Sequence, residues 1–290
     1  MIKSVALYYF SGTGNTKAVT HMLKDQFANR GINVEVFKLD DLVKKGDTLN
    51  IDKYDLVGIG YPIYGFGTPR IIKKFIKLLP NSDKQKVFLY KTAAASIPIN
   101  YNASSSIIRK LTIKNYTVFY DRIIAMGSNW FVKYDEVLVK KLYDVSNEKI
   151  KHMCSEILNE EKRFYYPGSL LKIGTCIIKW FEGNIGARFF GKTLKVNKEC
   201  NQCGLCVKNC PMQNITLKDD KLKFSWSCIW CMKCIYRCPK NAISSVGMNF
   251  CIIKDGYDLS KVIDKDNWEM TEKAQKMIEQ NKEYFTDSSF

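Results

Sequence analysis

Eight of the eleven cysteines in this 290-residue chain fall into two runs of identical spacing. Cys200-x2-Cys203-x2-Cys206-x3-Cys210-Pro211 recurs 28 residues on as Cys228-x2-Cys231-x2-Cys234-x3-Cys238-Pro239. Three cysteines on a tightly wound loop can cap three corners of an iron–sulfur cubane. The fourth ligand must then approach from elsewhere, and the proline turns the chain away. A zinc ribbon also pairs Cys-x2-Cys elements, but it needs four thiolates rather than four plus four with a proline after each run. The repeat reaches past the ligands, since Ile215 and Ile243 each stand five residues after the last cysteine of their run, as expected of two halves sharing one small core. The chemistry is one-electron transfer through iron. With no scattered cysteine framework of the secreted kind, the pattern belongs in a reducing compartment and predicts a cytoplasmic protein. Cys154, Cys176 and Cys251 fall outside the runs and read as small buried hydrophobes. Trp226 and Trp230, beside and between ligands, read as packing around the small core.

A second constellation lies near the N-terminus, where an apolar run ends in Phe10-Ser11-Gly12-Thr13-Gly14-Asn15-Thr16 and passes directly into a helical pattern. Backbone amides at a helix start, with the side chains of Ser11, Thr13, Asn15 and Thr16, can cradle a phosphate monoester whose charge the helix dipole favours. No lysine follows as a Walker loop requires, and GxGxxG spacing is absent, which disfavours ATP and NAD.

The elements that must position these loops are legible. Short β-branched or aromatic runs at Val5 to Tyr9, Val34 to Phe37, Asp55 to Gly60, Val87 to Tyr90 and Thr117 to Tyr120 predict five strands. Helical periodicity separates them. Val19, Met22, Leu23 and Phe27 share one face of a helix ended by Gly31, and Ile71, Ile72, Phe75, Leu78 and Leu79 line another closed by Pro80. A last helical region, Val137 to Phe164, completes an α/β unit with a doubly wound parallel sheet. Residues 163–195 form a connector too rich in aromatics, Trp180, Phe181, Phe189 and Phe190 among them, for a free linker, and are expected to pack between domains. The cysteine module spans 196–247. In the extension 248–290, Trp268, Ala274, Met277 and Ile278 predict an amphipathic helix docked on one of the domains.

Composition narrows the function classes. The 45 Lys and Arg against 29 Asp and Glu give +16, and two oxidised clusters with a bound phosphate monoester would bring this to about +10. Lysines are dispersed without a run of five, so nucleic-acid binding is not expected. An acidic protein partner is favoured over an anionic membrane surface, although Lys172, Lys179, Arg188 and Lys192 accompany the connector's aromatics. No stretch reads as a membrane span or a cleaved leader. His21 and His152, the only histidines, sit in helical patterns and leave little material for imidazole chemistry.

On its two runs the C-terminal module resembles the bacterial ferredoxins with two 4Fe-4S clusters. The resemblance implies a small α+β domain in which Cys200, Cys203, Cys206 and Cys238 hold one cluster, and Cys228, Cys231, Cys234 and Cys210 the other. Residues 1–162 resemble the flavodoxins, whose S/T-x-T-G-x-T loop binds the phosphate of FMN. This implies a flavodoxin-like five-stranded parallel sheet with FMN held at Ser11, Gly12, Thr13, Gly14, Asn15 and Thr16. Tyr61-Pro62-Ile63-Tyr64-Gly65-Phe66-Gly67-Thr68-Pro69 is similar to the loop that packs an aromatic on the isoalloxazine. It implies contacts from Pro62, Ile63, Tyr64, Gly65, Phe66 and Gly67, with Tyr64 as the stacking ring.

After the fourth strand, flavodoxins usually show glycine and a second aromatic, whereas this chain reads Thr92-Ala93-Ala94-Ala95-Ser96. Thr92, Ala93 and Ala94 are expected at the flavin, with Tyr101 the candidate for a second wall. The whole chain resembles the flavodoxin-ferredoxin fusion proteins of anaerobic bacteria, which implies a relay between one- and two-electron redox partners such as an acidic ferredoxin, flavodoxin or reductase. Two rivals stand beside it. One is an FMN/iron–sulfur reductase whose flavin acts on a small substrate, and the other an iron–sulfur protein whose α/β domain is a flavin-free docking module.

Overall fold

The first strand, β1 (Ser4–Tyr9), sends Val5 and Leu7 into one core and Ala6 and Tyr8 into another, and all four are buried. A strand buried on both faces needs helices on both. The computed structural model, which describes residues 2–164, 174, 185–265, 269–280 and 282–286, supplies them. β2 (Asn33–Lys38), β3 (Leu56–Pro62), β4 (Lys86–Ala93) and β5 (Thr117–Ala125) join β1 in a parallel sheet of order β2-β1-β3-β4-β5. α1 (Asn15–Ala28) buries Val19, Leu23 and Phe27 on one face beside α6 (Glu136–Leu158). On the other face lie α2 (Leu39–Lys45), α3 (Arg70–Leu78) and α5 (Ser105–Ile113), with α3 contributing Ile71, Ile72 and Phe75. The short α4 (Pro98–Tyr101) follows β4. Gly60 in β3 has a steric reason, because a Cβ there would fall 2.2 Å from the ring of Tyr90 on β4.

Each strand runs beyond the sequence expectation, most of all β4 and β5, which reach Ala93 and Ala125 rather than Tyr90 and Tyr120. Lys91 and Asp121 lie just past the expected strand ends. They are instead buried in the sheet, with the Lys91 ammonium donating to Asp121 (2.8 Å) and to the Ser104 hydroxyl. A paired charge can remain inside where a lone one cannot. The last helix of the unit stops at Leu158 rather than Phe164. His21 and His152 lie on α1 and α6.

In the cysteine module, β6 (Leu194–Val196) pairs antiparallel with β9 (Ile243–Ser245), so the module's first strand begins inside the connector. β7 (Ile215–Lys218) and β8 (Lys221–Phe224) form a hairpin. The 28-residue repeat is written into the backbone. Left-handed residues recur as Gln202 and Trp230 (φ 56° and 61°), Gly204 and Met232 (72° and 55°), and Gln213 and Asn241 (50° and 46°). Ile215 and Ile243 are both buried and each opens a strand. Phe190 of the connector is buried with Trp230, whereas Phe189 is exposed. Cys176, Lys172, Lys179, Trp180, Phe181 and Trp268 lie outside the described residues. Cys154 and Cys251 are buried. Trp226, expected in the small core, is instead 54% exposed beneath the Lys192 ammonium, because the chain at Ser225 and Ser227 is tied to Asn214 and leaves that ring outside.

The C-terminal extension wraps the α/β unit. Leu259 and Val262 enter the α1 core, and the helix Glu272–Gln280 packs Ala274, Met277 and Ile278 against Ala125, Leu138 and Leu142. Among the described residues no helix is long and apolar enough to cross a membrane.

Candidate functional site

Two small cavities in the cysteine module are each walled by four cysteines. Cys200, Cys203, Cys206 and Cys238 line the first, and Cys210, Cys228, Cys231 and Cys234 the second. The last cysteine of each run crosses to the other group, which is the arrangement that the ferredoxin resemblance implies. Cys210 and Cys238 each accept a backbone N–H four residues on, Asn214 at 3.1 Å and Ala242 at 3.3 Å, so the two halves repeat in hydrogen bonding as well. The groups differ in exposure. Cys203 stands in solvent, while Cys210 and Cys231 are buried.

Burial pushes the Cys228 thiol up to about 11 and that of Cys231 up to about 12, with neighbouring cysteine sulfurs adding to the rise. Four crowded thiols in an apolar pocket become ligands only where a cationic core offsets their desolvation, as iron does. Among the described residues no three His, Cys, Asp or Glu converge on a point fit for a single ion. A cubane makes no such demand, because each of its four thiolates binds a different iron.

At the carboxyl ends of β1, β3 and β4 and beyond the end of β5, a cleft of about 280 Å³ opens, the position at which a doubly wound sheet binds ligands. Of the sequence candidates, Ser11, Gly12, Thr13, Asn15, Thr16, Pro62, Ile63, Tyr64, Gly65, Phe66, Thr92, Ala93 and Ala94 line it. Gly14 and Gly67 do not; Gly14 (φ 115°) turns the chain into α1, and Gly67 closes its loop by exchanging backbone hydrogen bonds with Tyr64.

The 14-residue α1 starts with no side-chain cap, leaving its first amides for a ligand. Thr13 accepts from the Asn129 amide at 2.6 Å and keeps its own proton to donate, and Thr16 shares a hydrogen bond with Thr92 at 2.8 Å. Asn15, expected as a phosphate donor, lines the cleft with one side-chain N–H already engaged by the protein. Its amide donates to the Gly127 carbonyl (2.8 Å) and accepts from the Tyr257 hydroxyl (2.6 Å) of the C-terminal extension.

The second wall is a correction. Tyr101 does not line the cleft; Trp130 and Phe131 from the loop after β5 do, together with Trp230 of the cysteine module. Trp130 and Trp230 meet at 4.3 Å between ring centroids, and both indole N–H groups are buried without a hydrogen-bond partner. Trp230 therefore packs in the small core and also forms cleft surface. Ending the fifth strand at Tyr120 hid this loop. The rule that ligands bind beyond strand carboxyl ends pointed to Gly127-Ser128-Asn129-Trp130 once the true end was known.

The two sites share a boundary. A Cβ on Gly12 would fall 2.3 Å from the Tyr64 hydroxyl and 2.4 Å from the Cys231 carbonyl oxygen, so only glycine fits there. Burial, then Cys231 and Asp40, hold the Tyr64 phenol well above its ordinary pKa. Around this contact the Lys233 ammonium meets Asp40 at 2.5 Å, Arg70 donates to the Cys228 carbonyl, Tyr236 donates to the Asn129 carbonyl, and Ile229 and Cys231 join the α3-side core.

Comparison with known proteins gives two family matches, a Flavodoxin domain over residues 6–96 and a 4Fe-4S dicluster domain over residues 199–243. No curated protein matches the chain. Similar solved structures include a flavodoxin from Archaea (14% identity, 55% of this chain and 99% of that one, TM-score 0.38). Flavodoxin 2 from Bacillus cereus is 14% identical over 54% of this chain and 99% of its own, with a TM-score of 0.40. Megasphaera elsdenii flavodoxin is 22% identical over 41% of this chain and 84% of its own, with a TM-score of 0.34.

Proposed function

We propose, from the premise that this chain joins a flavodoxin domain to a 4Fe-4S dicluster domain, that it relays electrons between two 4Fe-4S clusters and an FMN. Electron transfer is the role common to both domains; the relay, the count of two clusters and the partners are the finer reading. FMN exchanges electrons singly or in pairs whereas a cluster exchanges one, so a chain holding both can join one-electron to two-electron partners.

The observation that carries this reading is the shared boundary, with Gly12 of the phosphate-type loop against the backbone of Cys231. The uncapped start of α1, Thr13 and Thr16 suit a phosphate monoester. Tyr64 and Trp130 offer aromatic surface on the same cleft. Such a lining favours the flavin over the docking-module reading. The exposed Cys203 gives the first cysteine group a face toward solvent, and an acidic redox protein suits the basic surface. Iron, sulfide and flavin counts on anaerobically purified protein test the reading. About eight irons and one FMN per chain are expected; iron without flavin would leave the docking-module reading in its place.

A further inference from the structure

The cleft borrows one of its walls from the cysteine module. Trp230 lies between Cys228 and Cys231, two ligands of the second group, and the next residue, Cys231, touches the phosphate-type loop. Its backbone sits at φ 61°, a conformation a bulky residue does not choose. The equivalent Gln202 in the first run has φ 56°, so the turn between the first two ligands of each run imposes this geometry. Ligation on both sides of Trp230 thus determines where its ring stands. There the ring meets Trp130 at 4.3 Å between centroids, and the two indoles together give the cleft an aromatic wall. No substitute ring comes from the loop after β4, where Thr92, Ala93, Ala94 and Ala95 line the cleft. No cysteine of either group is part of the cleft lining; the module reaches it through Trp230, which stands in the second run and not the first.

We propose that flavin binding and assembly of the second iron–sulfur centre are coupled through Trp230, the first centre being uninvolved. The inference rests on the FMN reading above. An empty second centre frees the Cys228–Cys231 turn to leave its left-handed conformation, and the wall formed with Trp130 is lost. Coupling between two binding events is reciprocal, so bound FMN must also strengthen the hold of the second centre on its iron by the same factor.

FMN titration by fluorescence quenching under anaerobic conditions tests this, with cluster content counted in each preparation. Cys210→Ala removes a ligand of the second group that does not line the cleft. It and Trp230→Ala are each expected to weaken FMN about tenfold, the scale of a lost aromatic contact. Their double variant should be no worse than either, Trp230→Phe should recover most of the affinity, and Cys238→Ala, which empties the first centre, should bind as wild type. An unaltered affinity in Cys210→Ala protein lacking its second centre, or an equal loss in Cys238→Ala, overturns the coupling.

Where Cys210→Ala does not fold, the iron that the wild type retains at equilibrium with a graded chelator series decides instead. FMN should raise the retention of one half of the iron, and should lose that effect in Trp230→Ala; retention indifferent to FMN refutes the inference. Wild-type protein that binds no FMN fails the functional reading itself, a result distinct from these.

Discussion

Lys233 and Asp40 hold the two modules together through a pair whose side chains are each 3% exposed and meet at 2.5 Å. Lys233→Met keeps the apolar stem and deletes the charge, leaving the Asp40 carboxylate buried with no cation. Its Oδ2 already has no hydrogen-bond partner, and the Phe10 ring that faces the ammonium at 5.4 Å offers none. Removing one member of a buried pair costs about 3–5 kcal/mol, because the survivor's desolvation is no longer offset. At roughly 2–3 °C per kcal/mol for a chain of this size, the melting temperature should fall by roughly 6–15 °C. Asp40→Leu should cost about as much. The double variant should return to within about 1 kcal/mol of wild type, since both desolvation penalties vanish with the attraction, giving a coupling of about 5 kcal/mol or more. Thermal melts of cluster-loaded protein by circular dichroism complete the cycle. Additive single effects below about 0.5 kcal/mol would mean that the modules do not dock through this pair.

Other predictions follow from the same geometry. Thr13→Ala and Thr16→Ala should each weaken FMN about ten- to a hundred-fold, the loss of one hydrogen bond to a charged group, with a smaller effect on riboflavin, which has no phosphate. Cys238→Ala and Cys203→Ala should damage one and the same cluster in paramagnetic spectra of reduced protein; a shared target for Cys238→Ala and Cys231→Ala would contradict the crossed grouping. Burial raises the Cys154 thiol to about 12, so it should resist alkylation at pH 8 in folded protein and react on unfolding. The unfolded state gives up that proton first, so this group removes stability as pH rises from about 9 toward 12. Reduction by an acidic ferredoxin should slow as salt is raised; a second-order rate that stays flat would remove electrostatic steering.

Most of the fold was legible because its signals are local. Short β-branched strands alternating with amphipathic helices specify a doubly wound sheet, and repeated cysteine spacing specifies paired ligand loops even at the level of left-handed residues. What was hidden depended on contacts distant in sequence. Lys91 falls outside the expected strand until Asp121 and Ser104 are placed beside it, and the shortened strands then concealed Trp130. Asn15 reads as a phosphate donor until the Gly127 carbonyl, 112 residues away, is found accepting from its amide N–H. Trp230 reads as core because its spacing fixes only its place between ligands. That the same ring forms a wall of a cleft in another domain follows from docking, which Lys233, Asp40 and Arg70 arrange across the sequence.

If electrons pass between clusters and flavin within one molecule, anaerobic stopped-flow reduction by a one-electron donor should resolve two successive steps. With the broad iron–sulfur absorbance and the flavin bands followed together, iron–sulfur absorbance should be lost first. Flavin absorbance should then follow at a rate independent of protein concentration. Flavin bleaching that scales with protein concentration, or flavin that stays oxidised beside fully reduced clusters, would contradict transfer within one molecule.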